Sequence, residues 1–343
     1  MKKTFYNTIF LLFLSVIIRA QDIHFSQFYE TTILRNPALT GIFADDYKVA
    51  ANYRTQWGSV SQPFVTQQLC FEGKIITNPN SADFFSYGLL ANMDKAGTLQ
   101  MSNLGLYPSI SFNKSLEEVY HTFLSVGFTS GYVQRSFDPS KITTNNQYQG
   151  GTYDPNASNG EGKLANRFNY FDFGVGVNFS GGAGEYNQTS YFVGLSAYHL
   201  TKPKSSFYNN NEVRLDPRYT ASAGLTYRFG DNYGLMLQTD YSLQGKYQEL
   251  MVGGLLHWKK PSEYASEPIF VAYIGSFYRL NDAMIPVVKV DYMRYSFAVS
   301  YDVNLSKLSP ASNMQGGLEI SLVKTGMYRQ DQRGKTLCPH FFY

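Results

Sequence analysis

Between Arg218 and Phe229 the chain alternates with a period of two. Tyr219, Ala221, Ala223, Leu225, Tyr227 and Phe229 fall on one side of an extended backbone, and Arg218, Thr220, Ser222, Gly224, Thr226 and Arg228 on the other. In a strand these sets point to opposite faces of the sheet. Tyr295 to Asn304 repeats the pattern, with Tyr295, Phe297, Val299, Tyr301 and Val303 against Ser296, Ala298, Ser300, Asp302 and Asn304. Tyr233 to Leu243 and Leu318 to Leu322 do the same, while Phe64 to Gly73 and Met284 to Val290 follow more loosely. Alternation of this kind specifies strands.

Comparable segments lie at about 48–57, 64–73, 84–92, 100–113, 122–134, 168–179 and 189–200. They continue at about 218–229, 233–243, 249–258, 269–278, 284–290, 295–304 and 316–323. Most approach the ~9–11 residues a tilted strand needs to cross a bilayer. The count of about fourteen is even, as bacterial barrels require. With the first strand running outward, the two longest gaps, 135–167 and 201–217, fall on the outer side. The shortest, 230–232 and 291–294, fall on the inner side. Long outer loops and short inner turns are the asymmetry of an outer-membrane barrel.

A soluble β-sandwich also alternates, but its polar face meets water and is rich in Lys and Glu. Here the polar face carries mainly Ser, Thr, Asn and Gly, which suit a crowded barrel interior. Charged residues are 16% of the chain, below the roughly 25% of soluble domains. Aromatics are also 16%, carried by 28 Tyr and 26 Phe beside 29 Gly. Aromatics gather near strand ends at Trp57, Tyr87, Tyr198, Tyr227 with Phe229, and Trp258, as in interfacial girdles. The expected fold is an all-β, antiparallel transmembrane barrel.

The chain opens MKKTFYNTIFLLFLSVIIRA. Lys2 and Lys3 form a positive start, Ile9 to Ile18 a short apolar core, and Arg19-Ala20 a small-residue end. This is the pattern of a secretory signal peptide cleaved between Ala20 and Gln21. After Ile18 no apolar run reaches the ~20 residues of a membrane helix. Cys70 and Cys338 are too few for a disulfide framework and read as free thiols. The net charge of +3 comes without a Lys/Arg stripe, which argues against nucleic acid as a partner. The Asn- and Gly-rich stretch near 135–167 reads as a solvated loop. Residues 21–46 mix Phe25, Phe28, Tyr29, Ile33 and Leu34 with polar groups, and suit either a lumen plug or a dock for a periplasmic partner.

Catalytic and metal-binding patterns are missing from the sequence. His24, His121, His199, His257 and His340 form no HExxH pair, and there is no CxxC, GxSxG elbow, Walker loop or GxGxxG. In the barrel topology His199 belongs near the outer rim, His257 near the inner rim and His121 in an inner turn, too far apart to share a nucleophile. No enzyme activity is expected. Lumenal Asp172, Asp240, Asp302 and Glu319 either line a pore or pair with cations such as Arg218, Arg228 or Lys289; pairing is the expectation for buried charge.

Two blocks carry a family resemblance. QDIHFSQFYETTILRNPALTG (Gln21 to Gly41) is followed by ANYRTQWGSV (Ala51 to Val60); near the end come YDVNLSKLSPASNMQGGLEISL (Tyr301 to Leu322) and CPHFF (Cys338 to Phe342). Together they resemble the PorP/SprF family of type IX secretion system membrane proteins. His340 stands where the family pattern leads one to expect a basic residue. The resemblance implies an outer-membrane barrel without catalytic residues or cofactor. Such a barrel serves the secretion and surface anchoring of a large partner, such as a gliding adhesin with a type IX C-terminal domain. Periplasmic components of the machinery and outer-membrane lipid are further implied partners. The chain then divides into a signal peptide (1–20), a periplasmic or lumenal segment (21–46), the barrel (47–323) and a periplasmic tail (324–343), with both ends facing the periplasm. Candidate partner contacts are Lys307, Leu308, Ser309, Pro310 and Asn313 on an outer loop, and His24, Phe25 and Phe28 before the barrel. The competing reading is a passive pore for small solutes, since fourteen strands lie between filled small barrels and open porins.

Overall fold

The computed structural model describes residues 22–58, 62–76, 82–117, 119–149, 151–158, 160, 164–208, 210–260, 269–307 and 309–328. The expected signal peptide with its cleavage point at Ala20 and Gln21, Leu308, and the closing Cys338 to Phe342 lie outside the described residues.

Each alternating segment forms a strand. They are β1 (Tyr47–Gln56), β2 (Phe64–Ile76), β3 (Phe84–Ala96), β4 (Met101–Glu117), β5 (Thr122–Ser136), β6 (Arg167–Ala183) and β7 (Thr189–Tyr198). The rest are β8 (Arg218–Phe229), β9 (Tyr233–Gln244), β10 (Tyr247–Lys260), β11 (Phe270–Arg279), β12 (Ala283–Tyr292), β13 (Tyr295–Asn304) and β14 (Gln315–Gly326). Each strand pairs antiparallel with its sequence neighbours, and β1 pairs with β14 from Tyr47↔Gly326 to Gln56↔Gly317, closing the barrel. Closure removes every sheet edge, the condition for placing strands in lipid. β14 runs to Gly326, past the expected limit at 323, because Tyr47 to Val49 continue the ladder there.

Prolines sit inside two strands. β4 pairs with β5 at Leu106↔Tyr132 and again at Ser109↔Thr129, with Pro108 between them outside the ladder. Pro286 falls in the same kind of gap between β12 and β13. Each lacks an N–H, and Thr129 Oγ1 donates to the Pro108 carbonyl at 2.9 Å.

The outward face is apolar, with Phe171, Val193, Leu195, Ile274, Val288 and Leu322 exposed. The inward face buries Asn52, Gln68, Ser109, Asn178, Ser222 and Ser300. Cys70 is a free thiol on that buried face. Exposed Tyr227, Phe229, Tyr233 and Trp258 gather near the turn at 230–232, and the Phe229 and Tyr233 rings stack at 6.3 Å. Tyr198 does not belong to this girdle. It shares the inward face of Phe192, Gly194 and Ser196, and its hydroxyl donates to the Ile33 carbonyl inside the lumen.

The long connections, 137–166 and 199–217, share one end of the barrel. Rings of Phe137 and Phe168 pack against Phe207 at 4.9 and 4.7 Å, joining the two loops. The first loop also holds a ribbon pairing Tyr148–Gln149 with Thr152–Tyr153. The short turns at 230–232 and 293–294 lie at the opposite end.

Residues 22–46 lie inside the barrel. Asp22 meets His199 and Arg218 at the long-loop end, whereas Asp46 donates its N–H to Gly326 where β1 begins. The segment therefore crosses the lumen from one end to the other, and its first described residue lies at the end opposite the start of β1. Polar wall groups along the full height of the lumen offer partners that the short-turn mouth alone does not.

Candidate functional site: a plugged lumen

Phe25 to Ile33 and Arg35 to Phe43 are buried throughout. A strap of mixed apolar and charged residues can be buried this way only if its backbone and charges find partners on the wall. They do so at three levels.

Nearest the long loops, Glu319 accepts from the backbone N–H groups of Ser26 (2.7 Å) and Gln27 (2.9 Å). Ser26 Oγ donates to Asp302 at 2.6 Å, and Arg279 in turn donates to Ser26 at 2.8 Å. Arg54 donates to Asp302 at 2.8 Å and to the His24 carbonyl, with its Nε 3.8 Å from Glu319. Arg54 and Arg279 thus share Asp302 at a bend of the plug, with Glu319 beside Arg54 and Asp282 and Glu249 beside Arg279. At the mouth, His199 lies between Asp22 (2.5 Å) and Asp172 (2.8 Å). His199 has φ +57°, and the turn is closed by Lys202 donating to the His199 carbonyl at 2.9 Å. Burial pulls the imidazole down, but the two carboxylates outweigh it and push its pKa up to about 9.

At mid-height, Thr32–Arg35 makes one helical turn, α1, followed by a 3-10 turn at Pro37–Leu39. Asn36 caps that turn by accepting from Ala38 N–H at 2.9 Å, with Pro37 at the first position, where a missing N–H costs nothing. Asn36 also donates to the Val177 carbonyl at 3.0 Å. Arg35 donates to Asp240 at 2.6 Å and Gln238 at 2.7 Å, with its guanidinium 4.8 Å from the Phe28 ring centre. Thr40 and Gly41, the latter at φ +76°, end the turn. Closer to the short-turn end, where β1 starts, Glu72 clamps both flanks, accepting from Thr32 at 2.7 Å and from Gly41 N–H at 2.8 Å, and pairs with Lys48 at 2.7 Å. The RNPALTG run is therefore a local fold seated on the wall.

Two inward glycines make the seat. A Cβ on Gly127 would lie 2.3 Å from Ala38 N and the Pro37 carbonyl carbon, and one on Gly176 would lie 1.8 Å from Asn36 Oδ1. They are cross-strand partners on β5 and β6. Glycine inside a strand marks a close backbone approach.

Lower down, Lys289 donates to Glu30 at 2.7 Å. Higher up, two residues below Arg279 on the same strand, Phe277 stacks on Tyr29 at 5.4 Å and meets Phe28 edge-on at 5.2 Å. Lys74 donates to the Phe43 carbonyl, and its Nζ lies 4.7 Å from that ring.

The lumen carboxylates are paired, though with partners other than those expected: Asp240 with Arg35 of the plug, Asp302 with Arg54 and Arg279, Asp172 with His199. Arg228 instead donates to the Asn187 carbonyl. Of the expected partner contacts, Phe25 and Phe28 are buried in the lumen, and their ring surface is taken up there. His24 is half-buried, with its carbonyl on Arg54. Lys307, Pro310 and Asn313 are exposed on the 305–314 connection, where Ser309 begins the single helical turn Ser309–Ser312, α2. His199, His121 and His257 stay at separate places on the barrel, as their positions in the strand order require.

The profile of the family described as "Type IX secretion system membrane protein PorP/SprF" matches residues 17–323, and the chain belongs to that family. No curated protein matches it in sequence. Among solved structures it is similar to the P. putida toluene transporter TodX, at 9% identity over 88% of this chain and 95% of that one, with a TM-score of 0.47. It is also similar to the CymD monoaromatic hydrocarbon channel (10% identity, 87% and 93% covered, TM-score 0.48). A third is CdiB from Acinetobacter baumannii (8% identity, 82% of this chain, TM-score 0.42), of whose length the match spans 60%.

Proposed function

We propose that this PorP/SprF membrane barrel works in the outer membrane, in the secretion and surface anchoring of a large partner protein, such as an adhesin with a type IX C-terminal domain. The observation that carries this reading is the plug. A lumen occupied by residues 22–46 and tied to the wall by buried ion pairs is built to stay shut, which disfavours a passive solute pore.

Holding then falls to the surface. The connections 137–166, 199–217 and 305–314 share one end, the outer one by the usual asymmetry of such barrels. Tyr148, Tyr153 and Tyr208 stand exposed there, as rigid apolar anchors of the kind that dominate interfaces. Lys307, Ser309, Pro310 and Asn313 belong to the same face and, with Leu308 by its place in the sequence, are proposed contacts. The short turns face the periplasm, where the other components of the machinery lie. Deletion of the gene followed by an inventory of surface proteins tests the reading. Loss of one large surface protein supports it; an unchanged inventory with impaired solute uptake rejects it.

A further inference from the structure

Below the plug, toward the short turns, the lumen keeps a cavity of about 320 Å³. Ile42 and Phe43 of the plug form its ceiling, Val271 and Val323 part of its wall, and Tyr120 and Met293 of two turns stand at its opening. Its ions are already matched. Lys48 pairs with Glu72 at 2.7 Å, Lys289 with Glu30 at 2.7 Å and Arg294 with Asp45 at 3.8 Å. Arg228 donates to the Asn187 carbonyl, and Lys259 is engaged as well. What the cavity offers a guest is therefore its apolar surface and its size. An apolar cavity of ~150 Å³ holds one benzene ring, so there is room here for about two aromatic side chains.

The chain itself leaves the barrel beside this opening. Thr325 near the end of β14 and Asp45 before β1 both line the cavity. Tyr328 is then fixed at the rim: its N–H donates to the Asp46 carboxylate at 2.9 Å, and its hydroxyl lies 2.9 Å from that of Tyr87. Residues 329–343 follow, outside the described residues. Arg329 to Thr336 are polar or glycine, whereas LCPHFFY brings Leu337, Phe341, Phe342 and Tyr343 together. Fully extended, the polar stretch reaches ~26 Å, enough to carry the apolar one from the rim into the lumen. Such a run of apolar side chains is a liability in water unless it finds a surface to cover.

We propose that the segment Leu337 to Tyr343 docks into this cavity, with the Phe341 and Phe342 rings beneath Ile42 and Phe43, so that the chain fills its own lumen from both ends. Two rings match the space, and matched ions ask for no charged guest. The tether decides among apolar guests. A short flexible linker holds its segment at an effective concentration in the millimolar range, ahead of a free peptide of the same composition.

Cys338 lies within the segment and reports on its place. The test uses the purified full-length barrel in detergent, with Cys70→Ser so that Cys338 is the sole native thiol. Ser296→Cys and, separately, Ser190→Cys put a second thiol on the cavity wall. Mild oxidation is expected to join each to Cys338 within one molecule, read as a shift of the unreduced band and as the linked tryptic peptide. Tyr208→Cys at the far end is expected to give no link. Phe341→Ser with Phe342→Ser is expected to lower the yield at the wall at least tenfold. Retention of the folded, heat-modifiable band identifies variants that keep the barrel. No link at either wall position, an equal yield without the two rings, or links only between two molecules overturns the proposal. The link forms or fails in detergent whichever way the barrel lies in the membrane, so its failure and the failure of the proposed function are distinguishable.

Discussion

Arg54 on β1 and Glu319 on β14 face each other across the seam that closes the barrel, and both reach inward to the plug. Arg54 holds the His24 carbonyl; Glu319 holds the N–H groups of Ser26 and Gln27. Closing the barrel and seating the plug therefore use the same side chains, drawn from two blocks at opposite ends of the sequence. Both are about 1% exposed, so neither can fall back on water if its partners are removed.

Glu319→Ala is expected to leave two plug N–H groups and part of Arg54 unpaired in a buried site. Breaking one partner of such a network costs about 3–5 kcal/mol. Urea unfolding of the barrel in detergent reads this as a lower midpoint. An unchanged midpoint would show that the plug contributes nothing to the closed state.

Gly176→Val and Gly127→Leu place side chains where the Asn36–Ala38 backbone lies. The plug turn is expected to leave its seat while the outward face of each strand stays unaltered. Trypsin reads the difference, because Arg35 is buried in the seated plug. The native barrel should resist cleavage there and the variants should be cut. Resistance in both variants counts against the glycine seat.

The His199 contact makes the mouth sensitive to alkali. Its folded-state pKa is raised to about 9, so the associated stability is complete below the ordinary histidine value of about 6.5. It is lost as pH rises through about 9. Thermal unfolding between pH 6 and pH 10 should show a falling midpoint in the native chain and a flatter profile in His199→Gln. Parallel profiles would remove His199 from the plug's attachment.

Segment 305–314 shares an end with the long loops. An epitope inserted between Pro310 and Asn313 is expected to be labelled on intact cells. Labelling only after lysis would reverse the orientation of the barrel.

Period-two patterning fixes which side of a strand faces inward, so the strands and their order were open to sequence reasoning. What lines up against the inward side was not. Asp240 pairs with Arg35, some 200 positions away, and alternation carries no information about that distance. Tyr198 illustrates the same gap: an aromatic at a strand end can join a girdle or reach inward to a plug carbonyl, and only the strand's parity separates the two. The glycine seat did leave a signal. Gly127 and Gly176 occupy inward positions of otherwise regular strands, the mark of a close backbone approach. The buried state of Phe25 and Phe28 left none, because an apolar residue before the first strand reads alike whether it meets a partner or the barrel's own wall.

The most direct test of a plugged, holding barrel is the single-channel conductance of the purified full-length protein in a planar lipid bilayer. A silent membrane is the expected result, with current appearing only in Gly176→Val or another variant that unseats the plug. Stable ohmic steps from the native protein would contradict it and restore the solute pore.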